Sequence, residues 1–370
     1  MTPARDETMA GPTASPTASP TASPAVAATE RPGDSTGLPR GTFGQRLRAT
    51  LLQAASWLAC RLPEGLAYGL ADVAGALWYR AAPARAARAR RNLARVAAYL
   101  ATQGRGGAPV RAAAEDPAAL ERLVRAAFRE GARYYLDVAR LPSLTPGLLH
   151  ERLLIETPDV VEQAFGGQAF GGQAFGGHGP VVFVGMHFGA IELPGLYLAD
   201  RTGIAAAVPM ETVGDPELQR WFVRTRGKVG LRIVGLREAR RELMAALRRG
   251  EPVGVVGDRD LTGGGIEVPF FGARARLPIG PALLAMETGS PLFAVAVRRA
   301  GKGRYRGGLR PVAIPASGSR RERLTAALES TARAFEEAIA DAPEQWSSVF
   351  FDIWPAMAKA ETPATPGADQ

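Results

Sequence analysis

The chain holds three histidines, and one of them, His187, stands where an apolar run stops. In VVFVGMHFGAIELPG (181–195) a carboxylate, Glu192, follows it five residues later. A neutral imidazole takes a proton from a hydroxyl, and a nearby carboxylate stabilises the imidazolium that forms. The plainer reading is a strand-end ring satisfied by a backbone carbonyl. Two further stretches concentrate charge. In GDRDLTGGGIEVPFFG (257–272), Asp258, Arg259 and Asp260 directly follow the strand-like run PVGVV, and the glycines after them let backbone amides approach an anion. That set reads as the lip of a site or as a salt-bridged turn leading into a hairpin. In RWFVRTRGKVG (220–230), Arg220, Arg224, Arg226 and Lys228 either offer guanidinium forks to phosphate or form a solvated helix face.

The elements around His187 follow from its spacing to Glu192. Positions five apart on one helix lie roughly 140° apart around the axis, so the two side chains cannot share a helical face. They meet only if the backbone changes type between them. Val181 to Val184 is β-branched and aromatic, Gly185 and Gly189 permit a tight turn, and the chain from Ile191 suits a helix whose first turn tolerates Pro194. The expectation is a strand, a turn carrying His187, and a helix from which Glu192 reaches back. Clefts at the carboxyl ends of strands are where open α/β sheets do their chemistry.

From Pro180 onward the pattern alternates. Strand-like runs fall at 180–185, 204–208, 231–234, 252–257 and 291–298, with helix-like segments at 190–200, 215–228, 236–249 and 279–288 between them. Gly289 suits the position that ends the last of these helices. Such alternation predicts an α/β fold with a mainly parallel central sheet flanked by helices. Residues 117–140 show a helical stripe, and a long amphipathic helix is expected over roughly 319–341. The apolar but interrupted stretch 51–79, followed by Arg80, Arg85, Arg88, Arg90, Arg91 and Arg95, reads as a membrane-associating helical region or as core helices with a solvated basic face. The boundaries are a disordered TASP-repeat tail over 1–42, a single domain over 43–356 with its helical membrane-proximal part at 43–100, and a disordered tail over 357–370. QAFGG, written three times across 163–177, reads as a lengthened loop.

Composition narrows the chemistry. Lys and Arg number 45 against 36 Asp and Glu, a net charge of +9, which calls for an anionic partner. Cys60 is the lone cysteine, so no internal disulfide or thiolate cluster forms, and with three scattered histidines no metal site is expected. No apolar run reaches the roughly 18 residues of a spanning helix, and the first forty residues lack a secretory pattern. There is no G-x-S-x-G elbow, no G-x-x-x-x-G-K-S/T loop, and no dinucleotide fingerprint in a strand–helix unit. Aromatics do not interleave with basic residues as RNA binding requires, so nucleic acid is not an expected partner.

A histidine followed by an acidic residue five positions on, after an apolar strand, resembles the signature of the bacterial lipid A biosynthesis and phosphatidylinositol mannoside acyltransferase family. Other stretches match in order: RNL at Arg91 to Leu93, DP at Asp215 and Pro216, the Arg224–Arg226 cluster with Gly230, DRDLTGGGIEVPFFG, LPIGPALLAMETGSPLFAVAVRR, and PEQW at Pro343 to Trp346. The resemblance covers roughly 43–356. It implies transfer of an acyl group from a thioester, acyl-CoA or acyl carrier protein, to a hydroxyl of a membrane glycolipid, with no cofactor beyond that co-substrate. His187 would be the general base. Asp258 stands where the mannoside branch often has Glu, so a shorter side chain would assist the histidine, and Glu192 fills the second acidic position. Arg224 or Arg226 would bind substrate, with Arg259 and Asp260 at the site lip. DRDLT followed by IEVPFFG is closer to the mannoside branch than to the lipid A branch. The implied place of work is the anionic cytoplasmic face of the cell membrane. An inactive membrane-binding relative and a thioesterase are the competing readings. The QAFGG and TASP repeats depart from the family pattern without touching its motif residues.

Overall fold

The structure is a computed structural model that describes residues 39–165, 180–261 and 263–354. The TASP repeats, the 357–370 tail and all but the first three residues of the QAFGG repeat lie outside the described residues. Those three residues, Gln163 to Phe165, close a helix, and Ala164 and Phe165 are buried, which corrects the reading of a loop beginning at 163.

Five helices lead the chain: α1 (Phe43–Arg61), α2 (Glu64–Ala81), α3 (Pro83–Thr102), α4 (Ala108–Glu115) and α5 (Pro117–Arg140). α5 starts sharply because the Asp116 carboxylate accepts from the amides of Ala118 and Ala119 while Pro117 supplies the fixed φ of a first turn. Leu123, Val124, Ala127 and Phe128 then recur at helical spacing and are buried. The arginine-rich α3 is a core helix. Ala89, Leu93, Val96, Ala97 and Leu100 form its buried face, so its basic residues occupy the other sides. α1 and α2 behave differently. Phe43, Leu47, Leu51 and Leu58 on α1 recur at steps of four or seven, Leu66, Leu70, Val73 and Leu77 on α2 at steps of three or four, and all stay exposed. The arginines that follow the apolar stretch thus lie on a core helix with a solvated basic face, while α1 and α2 carry outward apolar stripes.

After α6 (Pro146–Arg152), β1 (Leu153–Ile155) and α7 (Pro158–Phe165) comes the sheet proper. Its strands are β2 (Val182–Gly185), β3 (Ala206–Met210), β4 (Leu231–Gly235), β5 (Val253–Val256), β8 (Leu292–Arg299) and β9 (Tyr305–Pro311), joined by β1 at one edge. The order is β1-β9-β8-β2-β5-β3-β4, parallel throughout except between β8 and β9. β2 thus sits at the centre, between β8 and β5. Between the strands run α8 (Leu193–Thr202), α9 (Pro216–Gly227), α10 (Ala239–Arg248) and α11 (Gly280–Thr288), and α12 (Arg320–Asp341) follows. α10, α11 and α12 cover one face, where Val182, Val184, Ala207 and Val253 enter the main core. α7, α8 and α9 lie against the other face.

The alternating pattern from 180 onward is reproduced element by element, including Gly289 at φ 71° behind α11. IEVPFFGARARL forms a separate antiparallel hairpin, β6 (Ile266–Phe270) with β7 (Ala273–Leu277). Its turn forces Phe271 to φ 49° beside Gly272 at φ 72°. The hairpin alternative for this stretch is therefore correct for its second half.

Candidate active site

β2 and β5 are parallel neighbours in register, with Gly185 opposite Val256. Two residues on, that same register sets His187 beside Asp258, although 71 residues separate them. The imidazole Nδ1 lies 2.8 Å from Asp258 Oδ1, and the His187 amide donates to Oδ2 at 3.1 Å. The carboxylate accepts two more hydrogen bonds, from the Trp346 indole (2.9 Å) and the Ser348 hydroxyl (2.7 Å). Asp258 is buried, and burial alone would raise its pKa. The His187 charge and these donors reverse that and hold the carboxyl at about 2. For His187, burial by itself pushes the imidazolium down, yet the charge and hydrogen bond of Asp258 outweigh it, and its pKa is raised above the ordinary histidine value. A carboxylate bound at Nδ1 fixes the tautomer with the proton there and leaves Nε2 as the basic nitrogen.

The turn after His187 is sewn to the segment that follows α12. Phe188 bridges Trp346, Ser347 donates to the His187 carbonyl at 2.8 Å, and Gly189 donates to the Gln345 carbonyl at 3.1 Å. Gly189 has φ 57°, and a Cβ there would stand 2.1 Å from the Val297 carbonyl, so only glycine fits. Asn92, within RNL, holds the far end of the same segment through the carbonyls of Val349 and Phe351, both at 2.8 Å. Beneath the turn lies Arg299, its side chain only 4% exposed. It donates to Glu130 (2.8 Å), Asp137 (2.9 Å) and the Gly189 carbonyl (3.1 Å), and its backbone exchanges hydrogen bonds with the Gln345 amide group.

Glu192 is where the expectation fails. It is buried, but it accepts from the Tyr134 hydroxyl (3.1 Å) and from Arg226 Nη2 (3.3 Å), and none of the hydrogen bonds among the described residues joins it to His187. The helix it precedes, α8, turns the side chain toward α9 rather than back toward the strand end. Asp258 is the direct partner, and Glu192 reaches the imidazole only through its field. The two arginines of α9 are placed differently. Arg226 pairs with Glu192 and lines the central cavity, whereas Arg224 is exposed on the outer side of α9. Arg259 lines the cavity too and stacks 3.6 Å over the Phe351 ring. Asp260 instead organises its own loop, accepting from the amides of Gly263 (3.0 Å) and Gly265 (2.8 Å).

A cavity of about 490 Å³ opens at His187 and spreads over the α8 face of the sheet, lined by residues from all seven strands. Phe183, Val208, Leu231, Val295 and Leu309 make it apolar, while His187, Glu192, Arg226 and Arg259 give it one polar end. That is the make-up of a site that buries a long apolar ligand and does chemistry at its tip. Among the described residues no cluster of three or more His, Cys, Asp or Glu side chains is placed to hold a metal ion.

Residues 45–350 match the family model for bacterial lipid A biosynthesis acyltransferases. The chain belongs to this family. It is 33% identical over 304 residues to a phosphatidylinositol mannoside acyltransferase of Mycolicibacterium smegmatis, covering 79% of this chain and 87% of that one. It is 31% identical over 245 residues to one of Mycobacterium tuberculosis, covering 65% of this chain and 69% of that one. As a member of this family the chain is an acyltransferase. PEQW as a motif gives Trp346 no task, and nothing in the sequence pattern singles out Ser348, Tyr134 or Arg299 as neighbours of the site. The available signal was an indole and a hydroxyl beside a motif, and an arginine ending the apolar run AVAVRR.

Proposed function

We propose that the chain transfers a fatty acyl group from a thioester, acyl-CoA or acyl carrier protein, to a hydroxyl of a phosphatidylinositol mannoside-like glycolipid. The observation that carries this reading is the His187–Asp258 pair at the polar end of an apolar cavity. His187 Nε2 takes the hydroxyl proton as the oxygen attacks the thioester carbonyl. The tetrahedral oxyanion then collapses, the C–S bond breaks, and the proton passes from His187 to the departing thiolate. Asp258 stabilises the imidazolium in between. The amides of Phe188, Gly189 and Ala190 are already engaged with carbonyl oxygens, which leaves Arg226 or Arg259 at the cavity's polar end as the natural cations for the oxyanion. No covalent enzyme intermediate is required.

The test is transfer itself. Purified protein is given labelled palmitoyl-CoA or palmitoyl carrier protein with mannosylated phosphatidylinositol, and products are separated by chromatography. Label in the glycolipid supports the reading. Label released only as free acid identifies a thioesterase, and no turnover with either donor points to an inactive relative.

The pair also sets a pH signature. A raised His187 pKa means that the base is neutral only above the ordinary value of about 6.5, so kcat/KM is expected to rise with pH through a midpoint above it. Asp258→Asn removes the largest causes that raise this pKa and leaves burial and the Arg259 charge, which lower it, against the weaker field of Glu192. The midpoint then moves to lower pH while the limiting rate falls by about 10²–10⁴-fold. A rate loss with an unmoved midpoint would separate Asp258 from the titrating group.

The setting proposed for this reaction is the anionic cytoplasmic face of the cell membrane. Support comes from the outward stripes of α1 and α2 and from the arginines near them, with Arg61 stacked 3.7 Å over the exposed Trp57 ring. Among the described residues no helix is long and apolar enough to cross a membrane. Leu70→Glu with Leu77→Glu is expected to weaken binding to anionic vesicles at least about tenfold. Turnover of a detergent-dispersed acceptor should stay within a few-fold of wild type. Unchanged vesicle binding would remove α2 from the docking face.

A further inference from the structure

The wall of the central cavity has a gap in it. Parallel register places four residues at one level across the sheet: Phe183 on β2, Gly254 on β5, Val208 on β3 and Ile233 on β4. All four line the cavity. Three are bulky, and the one without a side chain lies between Phe183 and Val208. A Cβ built on Gly254 would touch only Val208 Cγ2, at 3.4 Å, so the space above it is cavity rather than protein. One pleat nearer His187 the pattern repeats. Gly185, flanked by Val256 and Val295, also lines the cavity, and a Cβ there would meet only Val295, at 3.6 Å. Neither glycine has a positive φ, so backbone conformation does not demand glycine at either place. Other residues would fit β5 and β2 as strands, and β-branched ones best. What glycine supplies here is room.

The two gaps are staggered on adjacent strands and lead away from the reacting end. Gly185 lies two residues from His187, about 7 Å at the rise of a strand, and the level of Gly254 lies four residues away, about 13 Å. A membrane-lipid acyl chain occupies half of a hydrocarbon core about 30 Å thick, or about 15 Å. A chain held with its carbonyl at His187 therefore passes Gly185 in its first half and reaches Gly254 near its end. Beyond that level Ala206 and Leu231 pair with each other and still line the cavity.

We infer that Gly254 sets the length of acyl chain the enzyme accepts, by keeping open the slot between Phe183 and Val208 through which the end of a long chain passes. This rests on the reading of the cavity as the acyl site. A side chain at 254 blocks the slot, and a long chain must then leave its terminal methylenes unburied or lift its carbonyl from His187. A chain too short to reach that level feels nothing. The determinant is specific to length and leaves the reacting groups untouched.

The experiment compares acyl-CoA donors from octanoyl to stearoyl on wild type, Gly254→Val and Gly254→Ala, with melting temperatures measured alongside. For Gly254→Val the specificity constant of the longest donors should fall about 10–200-fold relative to the shortest. Octanoyl and decanoyl transfer should stay within a few-fold of wild type. Each methylene left unburied should weaken transfer about fourfold. Gly254→Ala adds one methyl group beside Val208 and should shift the profile in the same direction by less, which preserves the test should the valine variant fail to fold. Gly185→Val should move the cut-off to shorter chains still. A Gly254→Val profile parallel to that of wild type, whether or not the overall rate falls, overturns the inference alone. Wild type that transfers no acyl chain to any acceptor overturns the acyltransferase reading and this inference with it.

Discussion

His187→Ala is expected to reduce acyl transfer by at least about 10²–10⁴-fold while the melting temperature stays within a few degrees of wild type. The two halves of that expectation have different origins. The rate falls because a sugar hydroxyl is a poor nucleophile until something removes its proton, and none of the other side chains bonded to Asp258 is a base. Trp346 and Ser348 are donors to it. The fold survives because Asp258, though buried, loses only one of its four hydrogen bonds. The His187 amide, the Trp346 indole and the Ser348 hydroxyl remain. Asp258→Ala should cost stability as well as rate. It leaves an indole N–H and a hydroxyl buried without their acceptor, at about 1–3 kcal/mol for each such group. Initial rates against donor concentration, with a thermal melt on the same sample, decide the matter. Near-normal kcat for folded His187→Ala would end the general-base assignment.

Much of this site was legible in the chain because it is built on one local device. An apolar strand, a glycine-bearing turn and a proline-started helix are local patterns, and 182–202 folds accordingly. What sequence cannot supply is direction. Glu192 sits at the spacing that suggests a return to His187, yet the start of α8 turns it toward Tyr134 and Arg226. Asp258 was identified by resemblance, but its contact with His187 arises from the register of two parallel strands 71 residues apart, a tertiary fact. Arg224 and Arg226 are indistinguishable as letters and differ only in which side of α9 meets the cavity. β1 and β9 escaped notice for another reason. β1 is three residues long, and in β9 two glycines and three apolar or aromatic residues share the strand with arginines. There the sheet neighbours, not propensity, decide the conformation. Trp346 and Ser348 are invisible as site residues because their segment has no regular period and takes its place through tertiary contacts, among them those of Phe188, Ser347 and Asn92.

Arg299→Met should produce the largest loss of stability of any single change near the site. Burial alone would favour loss of the guanidinium proton, but Asp137 and Glu130 keep the group charged and its pKa raised. Removing it leaves Glu130 with Arg133, and Asp137 with the Tyr68 hydroxyl, as their remaining partners, with Glu130 buried and Asp137 nearly so. Breaking a buried pair from one side costs about 3–5 kcal/mol, a fall in melting temperature of roughly 5–8 °C for a domain of this size. Glu130→Gln and Asp137→Asn added to Arg299→Met remove the orphaned charges, so most of that stability should return. Activity should not return, because the Gly189 carbonyl still lacks its donor and the turn bearing His187 is no longer pinned from below. The sign with pH distinguishes this account from a simple packing defect. Burial already raises the Asp137 pKa, with Arg299 opposing the shift, so loss of Arg299 raises it further. A carboxyl whose folded pKa is raised stabilises the fold below that pKa and loses the contribution as pH rises through it. The penalty of Arg299→Met should therefore be smaller in mildly acidic buffer than at neutral pH. Equal penalties at both would mean that Asp137 never depended on the guanidinium for its charge.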